Sequence, residues 1–94
     1  MKKIVYSSHL ELRLKIREIP RSLPRDVYQN SRERYFDKET GKNIAIGKIR
    51  FKGKLREIIV VYEERGDEIK LITAHPLKAL QKVSRIRTGR WQRI

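Results

Sequence analysis

Cysteine is absent from this 94-residue chain, which excludes a disulfide framework and a zinc site with thiolate ligands. Histidine occurs only twice and no tight carboxylate cluster accompanies it, so we predict no metal site and no cofactor. Long apolar runs are lacking too, and none approaches the roughly 20 residues that a membrane-spanning helix needs. The apolar segment after Met1-Lys2-Lys3 is also too short for a signal peptide. We therefore expect a cytoplasmic protein with no membrane partner.

Acidic residues are outnumbered by basic ones. The 11 Asp and Glu face 24 Lys and Arg, which leaves a net charge of +13 and a pI near 10.5. A compact domain with this excess has a positive field that attracts polyanions. The alternative explanations are solubility and the highly charged composition of a thermophile protein, in which both signs usually mix in ion-pair networks. The imbalance therefore favours a nucleic acid or an acidic protein as the partner.

A β-hairpin is predicted in the middle of the chain, where two β-branched runs, residues 58–62 and 69–74, flank a turn. Gly66 in this turn can adopt a positive φ without a Cβ clash, and Asp67 can accept hydrogen bonds from backbone N–H groups. The first run begins with four consecutive apolar residues, which predicts a central strand buried on both faces. This hairpin is the element around which we expect the chain to be organised.

Hydrophobic periodicity and capping signals predict the other elements. They are strands at residues 3–6, 32–37 and 43–51 and helices at residues 9–19 and 24–29. Ser8 and Glu11 match a capping box at the start of the first helix. A last short helix is predicted to begin at Pro76, because proline is favoured in the first turn. Its inward-facing residues are predicted to be Leu77, Leu80 and Val83.

The resulting element order, β-α-α-β-β-β-β-α, predicts an α+β domain that spans residues 1–94 and has a single modest core. Two N-terminal helices are expected to pack on one face of a four- to five-stranded, mainly antiparallel sheet. The other face of the sheet is expected to stay available. A short C-terminal helix then leads into a basic tail at residues 85–94.

Two sets of cations are candidates for binding phosphate. Strand alternation places Lys48 and Arg50 together on one face of the strand at residues 43–51. Residues 76–94 contain no Asp or Glu but six cations, which are Lys78, Lys82, Arg85, Arg87, Arg90 and Arg93. Trp91 lies among them, and basic residues interleaved with an aromatic one can hold phosphates and stack a base. The alternatives are a solvated sheet edge for the first set and a partly disordered tail, with Trp91 folded onto the core, for the second.

Five short motifs follow one another along the chain. They are His9-x-x-x-Arg13 on the first helix, Tyr35-Phe36-Asp37, Val60-Val61-Tyr62-Glu63, Arg65-Gly66-Asp67 and Ile72-Thr73-Ala74-His75-Pro76. Together with the second short helix they resemble small domains of the RelE/BrnT-like toxin superfamily, over the length from His9 to Trp91. The chain departs from RelE-type toxins near its C-terminus, where these often carry a tyrosine and this sequence has arginines and Trp91.

The resemblance implies a RelE-like fold and a toxin of a toxin–antitoxin system that cleaves messenger RNA without a metal ion. It also implies a cognate acidic antitoxin protein as a partner and RNA, free or on the ribosome, as the substrate. Homodimer formation stays open. Arg85, Arg87 and Arg90 would position the RNA or an acidic segment of the antitoxin.

Metal-free RNA cleavage needs a base for the 2′-OH proton, cations for the charge on the phosphorane, and an acid for the leaving 5′-oxygen. We predict His9 and His75 as the acid–base pair if the first helix packs beside the fifth strand, because imidazole exchanges protons near neutral pH. Arg13, one helical turn after His9, is predicted to stabilise the charge together with Lys48 and Arg50. The alternatives are an exposed first-turn residue for His9 and a residue that only closes its strand for His75.

Two other function classes also fit the sequence. A non-catalytic RNA- or DNA-binding module needs only the positive charge and the basic tail, and it predicts that loss of either histidine leaves the function intact. An interaction protein with an acidic partner predicts weak RNA affinity that vanishes in moderate salt. An RNA-cleaving toxin alone predicts a function that depends on the histidines.

Overall fold

A six-stranded mixed sheet forms the centre of the computed structural model, which describes residues 2–94. Its strands are β1 (Lys3–Tyr6), β2 (Glu33–Asp37), β3 (Lys42–Phe51), β4 (Lys54–Arg65), β5 (Glu68–Pro76) and β6 (Trp91–Arg93). The helices are α1 (Ser8–Ile16), α2 (Leu23–Asn30) and α3 (Gln81–Arg87). The strand order is β1-β5-β4-β3-β2-β6, with β1 parallel to β5 and the other neighbours antiparallel. The predicted α+β class is confirmed, whereas the predicted count of four to five strands is too low.

The predicted hairpin is confirmed as β4 and β5. The two strands pair antiparallel up to Arg65 and Glu68, and Gly66 between them has a φ of +56°, which glycine adopts without steric cost. β4 has a neighbouring strand on each side, and residues 58–60 are buried. The apolar run therefore forms a central strand of the sheet, as its sequence predicts.

The larger hydrophobic core lies between the sheet and the first two helices, as predicted for these helices. α1 contributes Leu10 and Leu14, and α2 contributes Leu23 and Val27. Each of these buried aliphatic side chains stabilises the fold by roughly 1.5–3 kcal/mol. α2 approaches β3 closely because Gly47 has no side chain, and a Cβ there would lie 3.3 Å from Val27 Cγ1. α1 packs beside β5, which is the condition for bringing the two histidines together.

α1 begins and ends earlier than predicted. Ser7 rather than Ser8 is its N-cap, because the Ser7 hydroxyl oxygen accepts a hydrogen bond of 3.0 Å from the Leu10 N–H. The helix ends at Ile16, since Glu18 has a φ of +53° and so leaves the right-handed helical region.

A second, smaller cluster covers part of the opposite face of the sheet. It consists of Tyr35, Ile44, Ile46, Ile59 and Trp91, with Val61 and Leu77 partly buried against it. Lys82 of α3 reaches over the same face and forms ion pairs of 3.0 Å with Glu33 and Glu57. The predictions of a single core and of an available second face are therefore wrong for the area that these residues cover.

The last helix also differs from its prediction. The Leu77 N–H still hydrogen-bonds to a carbonyl of β4 at 2.9 Å, so the chain continues along the sheet beyond Pro76. α3 consequently begins only at Gln81. Leu80 and Val83, which were predicted to face inward, are 78% and 53% exposed.

Residues 85–94 do not form a free basic tail. They make up the end of α3 and the strand β6, which pairs antiparallel with β2. This pairing occupies the ladder hydrogen bonds of β2 on a side that the predicted sheet leaves open. The C-terminal segment is therefore part of the sheet.

Candidate functional site

A cavity of about 660 Å³ opens where α1 lies beside β5. Its lining residues are His9, Arg13, Arg17, Arg56, Ile72, Thr73, His75, Pro76, Leu77 and Lys78. Six of these side chains are basic and none is acidic, so the cavity concentrates positive potential and attracts anions. The three residues predicted as catalytic, His9, Arg13 and His75, are thus brought to one site.

Ser7 holds the start of α1 against β5. Its hydroxyl group donates a hydrogen bond of 2.8 Å to the Ile72 carbonyl oxygen while accepting one from the Leu10 N–H. Ile72 is skipped in the pairing of β4 with β5, which marks a β-bulge. One buried hydroxyl therefore caps the helix that carries His9 and binds the bulge of the strand that carries His75.

His75 has one ring nitrogen engaged and one open. Its Nδ1 lies 3.0 Å from the carbonyl oxygen of Pro76, and since a carbonyl oxygen can only accept, Nδ1 carries the hydrogen. In the neutral ring, Nε2 then has a lone pair available for a proton. His75 is half-buried and His9 is exposed. These features suit His75 to accept a proton and leave His9 free to exchange one with a ligand.

The cations of the cavity have no carboxylate partners. Arg13, Arg17, Arg56 and Lys78 take part in none of the ion pairs formed among residues 2–94. A guanidinium group can donate two parallel hydrogen bonds to one phosphate, and an ammonium group adds a point charge. The cavity therefore matches a phosphodiester in both charge and hydrogen-bond donors.

Two cations of the C-terminal segment are neutralised instead. Burial lowers the pKa of Lys82, but its hydrogen bonds to Glu57 and Glu33 outweigh this effect and raise the pKa. Arg90 donates from Nε and Nη2 to the two carboxylate oxygens of Asp37, at 2.9 and 3.1 Å. The pairing of Arg90 with a buried carboxylate conflicts with its predicted role in binding RNA and makes it a structural residue.

The buried position of Trp91 contradicts its predicted role in stacking on a base. The side chain is 4% exposed, and its ring stacks on that of Tyr35 with the centroids 5.8 Å apart. Its Nε1 is buried without a hydrogen-bond partner. The tryptophan belongs to the second core cluster, because the pairing of β6 with β2 turns it onto the sheet.

The other predicted RNA-binding residues are dispersed. Lys48 and Arg50 are exposed on β3 and do not line the cavity, because β4 separates their strand from β5. Arg85 lines an adjoining cavity of about 480 Å³ together with His75. Arg87 is exposed on α3 and lines neither of these cavities. Of these four cations, only Arg85 lies next to the histidines.

Three cations of the cavity, Arg17, Arg56 and Lys78, are absent from the set predicted from the sequence. Arg17 continues the four-residue spacing of His9 and Arg13 on α1, so local periodicity could have identified it. Arg56 comes from β4 and Lys78 from the segment after β5. No local pattern marks these two residues, because their positions depend on how α1 packs on the sheet.

Comparisons of the chain with protein-family models, with curated proteins and with solved structures gave no match. Within residues 2–94, no group of three or more His, Cys, Asp or Glu side chains is arranged to hold a metal ion. No helix in that part of the chain is long and apolar enough to cross a membrane. The side chains of the cavity supply two imidazoles and four cations, a combination that can bind a phosphodiester and transfer protons.

Proposed function

We propose that this protein is an endoribonuclease that cleaves RNA, messenger RNA in particular, by acid–base catalysis without a metal ion. The observation that carries the proposal is that His9, Arg13 and His75 line one cavity whose lining has basic residues and no acidic ones. Cleavage of a phosphodiester needs cations that bind the phosphate and groups that transfer protons, and this set supplies both.

In the proposed reaction the 2′-oxygen attacks the adjacent phosphorus, and the bond from phosphorus to the 5′-oxygen breaks. His75 Nε2 takes the proton of the 2′-OH, a role that fits the hydrogen bond between its Nδ1 and Pro76. Protonated His9 gives a proton to the leaving 5′-oxygen, and Arg13 stabilises the charge on the phosphorane. The products are a 2′,3′-cyclic phosphate and a free 5′-hydroxyl group.

We further propose that the protein is the toxin of a type II toxin–antitoxin system, with a RelE-like version of the α+β fold. The support is the resemblance of its motifs to those of RelE/BrnT-like toxins and the order of its elements. The net charge of +13 suits an acidic antitoxin as the neutralising partner. Cleavage of messenger RNA in the cytoplasm would inhibit translation.

The second candidate is a non-catalytic RNA- or DNA-binding module. The exposed cations Arg17, Arg56 and Lys78 favour it, because unpaired cations around one cavity can hold a phosphate backbone without any chemistry. Such a module would bind nucleic acid equally well after either histidine is replaced.

The test is cleavage of a 5′-labelled messenger RNA by the purified protein in EDTA, with and without ribosomes. The wild type is compared with His9→Ala and His75→Ala, and circular dichroism verifies that each variant is folded. Lys48→Ala is the matched control, since it removes an exposed charge outside the cavity. We expect site-specific cuts that end in 2′,3′-cyclic phosphate and are slowed by about 100-fold or more in either histidine variant.

Three outcomes would count against the proposal. Intact RNA that is shifted on a gel in every condition would reject the nuclease and leave the binding module. Cuts that persist in both histidine variants would reject the assigned acid–base pair. Normal growth of cells that overproduce the active nuclease would reject the role as a toxin.

A further inference from the structure

A second cavity adjoins the one that holds the histidines, on the side of the β3–β4 turn. It has a volume of about 410 Å³ and shares Arg17, Arg56 and Pro76 with the first cavity. It extends from there to Lys52 and Glu18. Two cations therefore stand at the junction of the two cavities.

A third cavity, of about 480 Å³, adjoins the histidine cavity on the side of α3. It shares His75 and Lys78 with the first cavity and extends to Leu80 and Arg85. Shared lining residues make the three cavities one continuous groove, with the histidines in its middle section. Glu18, in the second cavity, is the only acidic residue in the lining of the three.

We propose that this groove binds one polynucleotide strand, with Arg17 and Arg56 holding phosphate on one side of the histidines. Lys78 and Arg85 hold phosphate on the other side, and the Leu80 side chain contacts a base. The inference rests on the proposed function for the identity of the ligand. It adds the course of the strand across the protein and a residue that senses the base.

Leu80 has a strained backbone and an exposed apolar side chain. Its φ is +66°, a left-handed conformation that leucine rarely adopts, and its side chain is 78% exposed. The other non-glycine residues of positive φ in the described chain, Glu18 and Lys52, follow a helix and form a β-hairpin turn, where this conformation is common. Leu80 instead precedes α3, where extended backbone and a capping side chain are usual, and its side chain makes no capping hydrogen bond.

The strain at Leu80 therefore has no explanation in the capping of α3. Its consequence is an apolar side chain held in the lining of the groove, beside His75 and Lys78. Backbone strain concentrates at positions that bind ligands, where it fixes a side chain in advance. Among the cations of the third cavity, an apolar group is matched by a base rather than by a phosphate.

A single strand fits these features better than a duplex. The bases of a duplex stack on each other, whereas an unpaired base can present its face to a side chain. The cations also follow one line of adjoining cavities, which matches one phosphate backbone rather than two.

The first experiment measures where phosphates bind. A fluorescein-labelled 2′-O-methyl RNA strand, which has no 2′-OH to react, reports binding by anisotropy at several salt concentrations. Arg17→Gln, Arg56→Gln, Lys78→Gln and Arg85→Gln should each reduce the slope of log affinity against log salt by about 0.7, the contribution of one phosphate contact to a single strand. The matched controls Lys48→Gln and Arg50→Gln should leave the slope unchanged.

The second experiment tests the base contact of Leu80. Glycine accepts the positive φ, so Leu80→Gly removes the side chain without disturbing the backbone. We expect its affinity to fall by about fivefold, the lower range for a side chain that contacts a base. Removing the base at one position of the strand should weaken binding to the wild type by a similar factor but have no effect on Leu80→Gly. Leu55→Ala, which shortens an exposed leucine outside the groove, is the control.

Three results would overturn the inference. They are the absence of binding to the 2′-O-methyl strand, equal losses of slope in the groove variants and the controls, and an unchanged response of Leu80→Gly to every base removal. If the groove variants behave as expected but the wild type leaves ordinary RNA intact, the nuclease is rejected and the binding groove stands.

Discussion

Ser7 donates a hydrogen bond of 2.8 Å to the carbonyl oxygen of Ile72, and this contact joins the start of α1 to the bulge of β5. α1 carries His9 and β5 carries His75. Because the same hydroxyl also caps α1, the position of one histidine relative to the other depends on a single buried side chain. The proposed acid–base pair thus rests on a contact between elements from opposite ends of the chain.

Ser7→Ala should destabilise the protein and reduce cleavage of RNA. Loss of the cap costs about 1 kcal/mol, and the Ile72 carbonyl left without its partner adds about 1–2 kcal/mol. Urea unfolding should therefore show a loss of about 2–3 kcal/mol. The cleavage rate of the folded fraction should also fall, because α1 is no longer tied to β5. Ser8→Ala is the control, since Ser8 is exposed, and equal losses in both variants would contradict the prediction.

Arg13 and Arg50 form a matched pair for testing the location of the site. Arg13 lines the histidine cavity, whereas Arg50 is exposed on β3 outside it. Arg13→Gln should slow single-turnover cleavage of RNA by about 10- to 100-fold, because a donor to the phosphorane is lost. Arg50→Gln should cleave at the wild-type rate, and both variants should keep their stability within about 0.5 kcal/mol. Equal slowing in both variants would show that net charge, not position, is responsible.

Local patterns predicted those parts of the fold that local interactions determine. The β4–β5 hairpin follows from two β-branched runs and a turn with Gly66, all within one stretch of sequence. β6 could not be predicted in this way, since it has only three residues. It pairs with β2 and is held there by the contact of Arg90 with Asp37, and both interactions join distant parts of the chain.

The same distinction applies to the candidate site. His9 and Arg13 stand at helical spacing, so a local rule associates them. Their approach to His75 depends on α1 packing beside β5, and so does the contribution of Arg56 from β4. Strand alternation placed Lys48 on the correct strand, but it could not show how far that strand lies from the histidines.

Trp91 is the only tryptophan, so its fluorescence reports its surroundings directly. Because the ring is 4% exposed, its emission should be blue-shifted in the folded protein and should shift to the red in urea. Saturating RNA should leave the emission unchanged, since the ring is covered by the second core cluster. A titration of free tryptophan with the same RNA corrects for light absorption. Quenching beyond that correction would contradict the buried position and restore Trp91 as a base contact.

The ion pair of Asp37 with Arg90 should make the stability of the fold depend on acidic pH. Burial favours the neutral carboxyl group of Asp37, but hydrogen bonds from Arg90 and from the Glu39 N–H outweigh it and lower the pKa. Since the pKa of Asp in the unfolded chain is about 3.9, the ionised carboxylate stabilises the fold above that pH. This contribution is lost as the pH falls below about 4 and through the lower pKa of the folded protein.

Asp37→Asn should lower the free energy of unfolding by about 2–3 kcal/mol at neutral pH, because a buried guanidinium–carboxylate pair is broken. Urea unfolding between about pH 7 and pH 2 should show the wild type losing stability faster than the variant, so that the two curves converge in acid. Glu39→Gln is the control, since this exposed carboxylate lies 3.3 Å from Arg90 and its loss should cost less than about 0.5 kcal/mol. Parallel curves for the wild type and Asp37→Asn would mean that Asp37 is not ionised in the native protein, and the ion pair that anchors β6 would have to be abandoned.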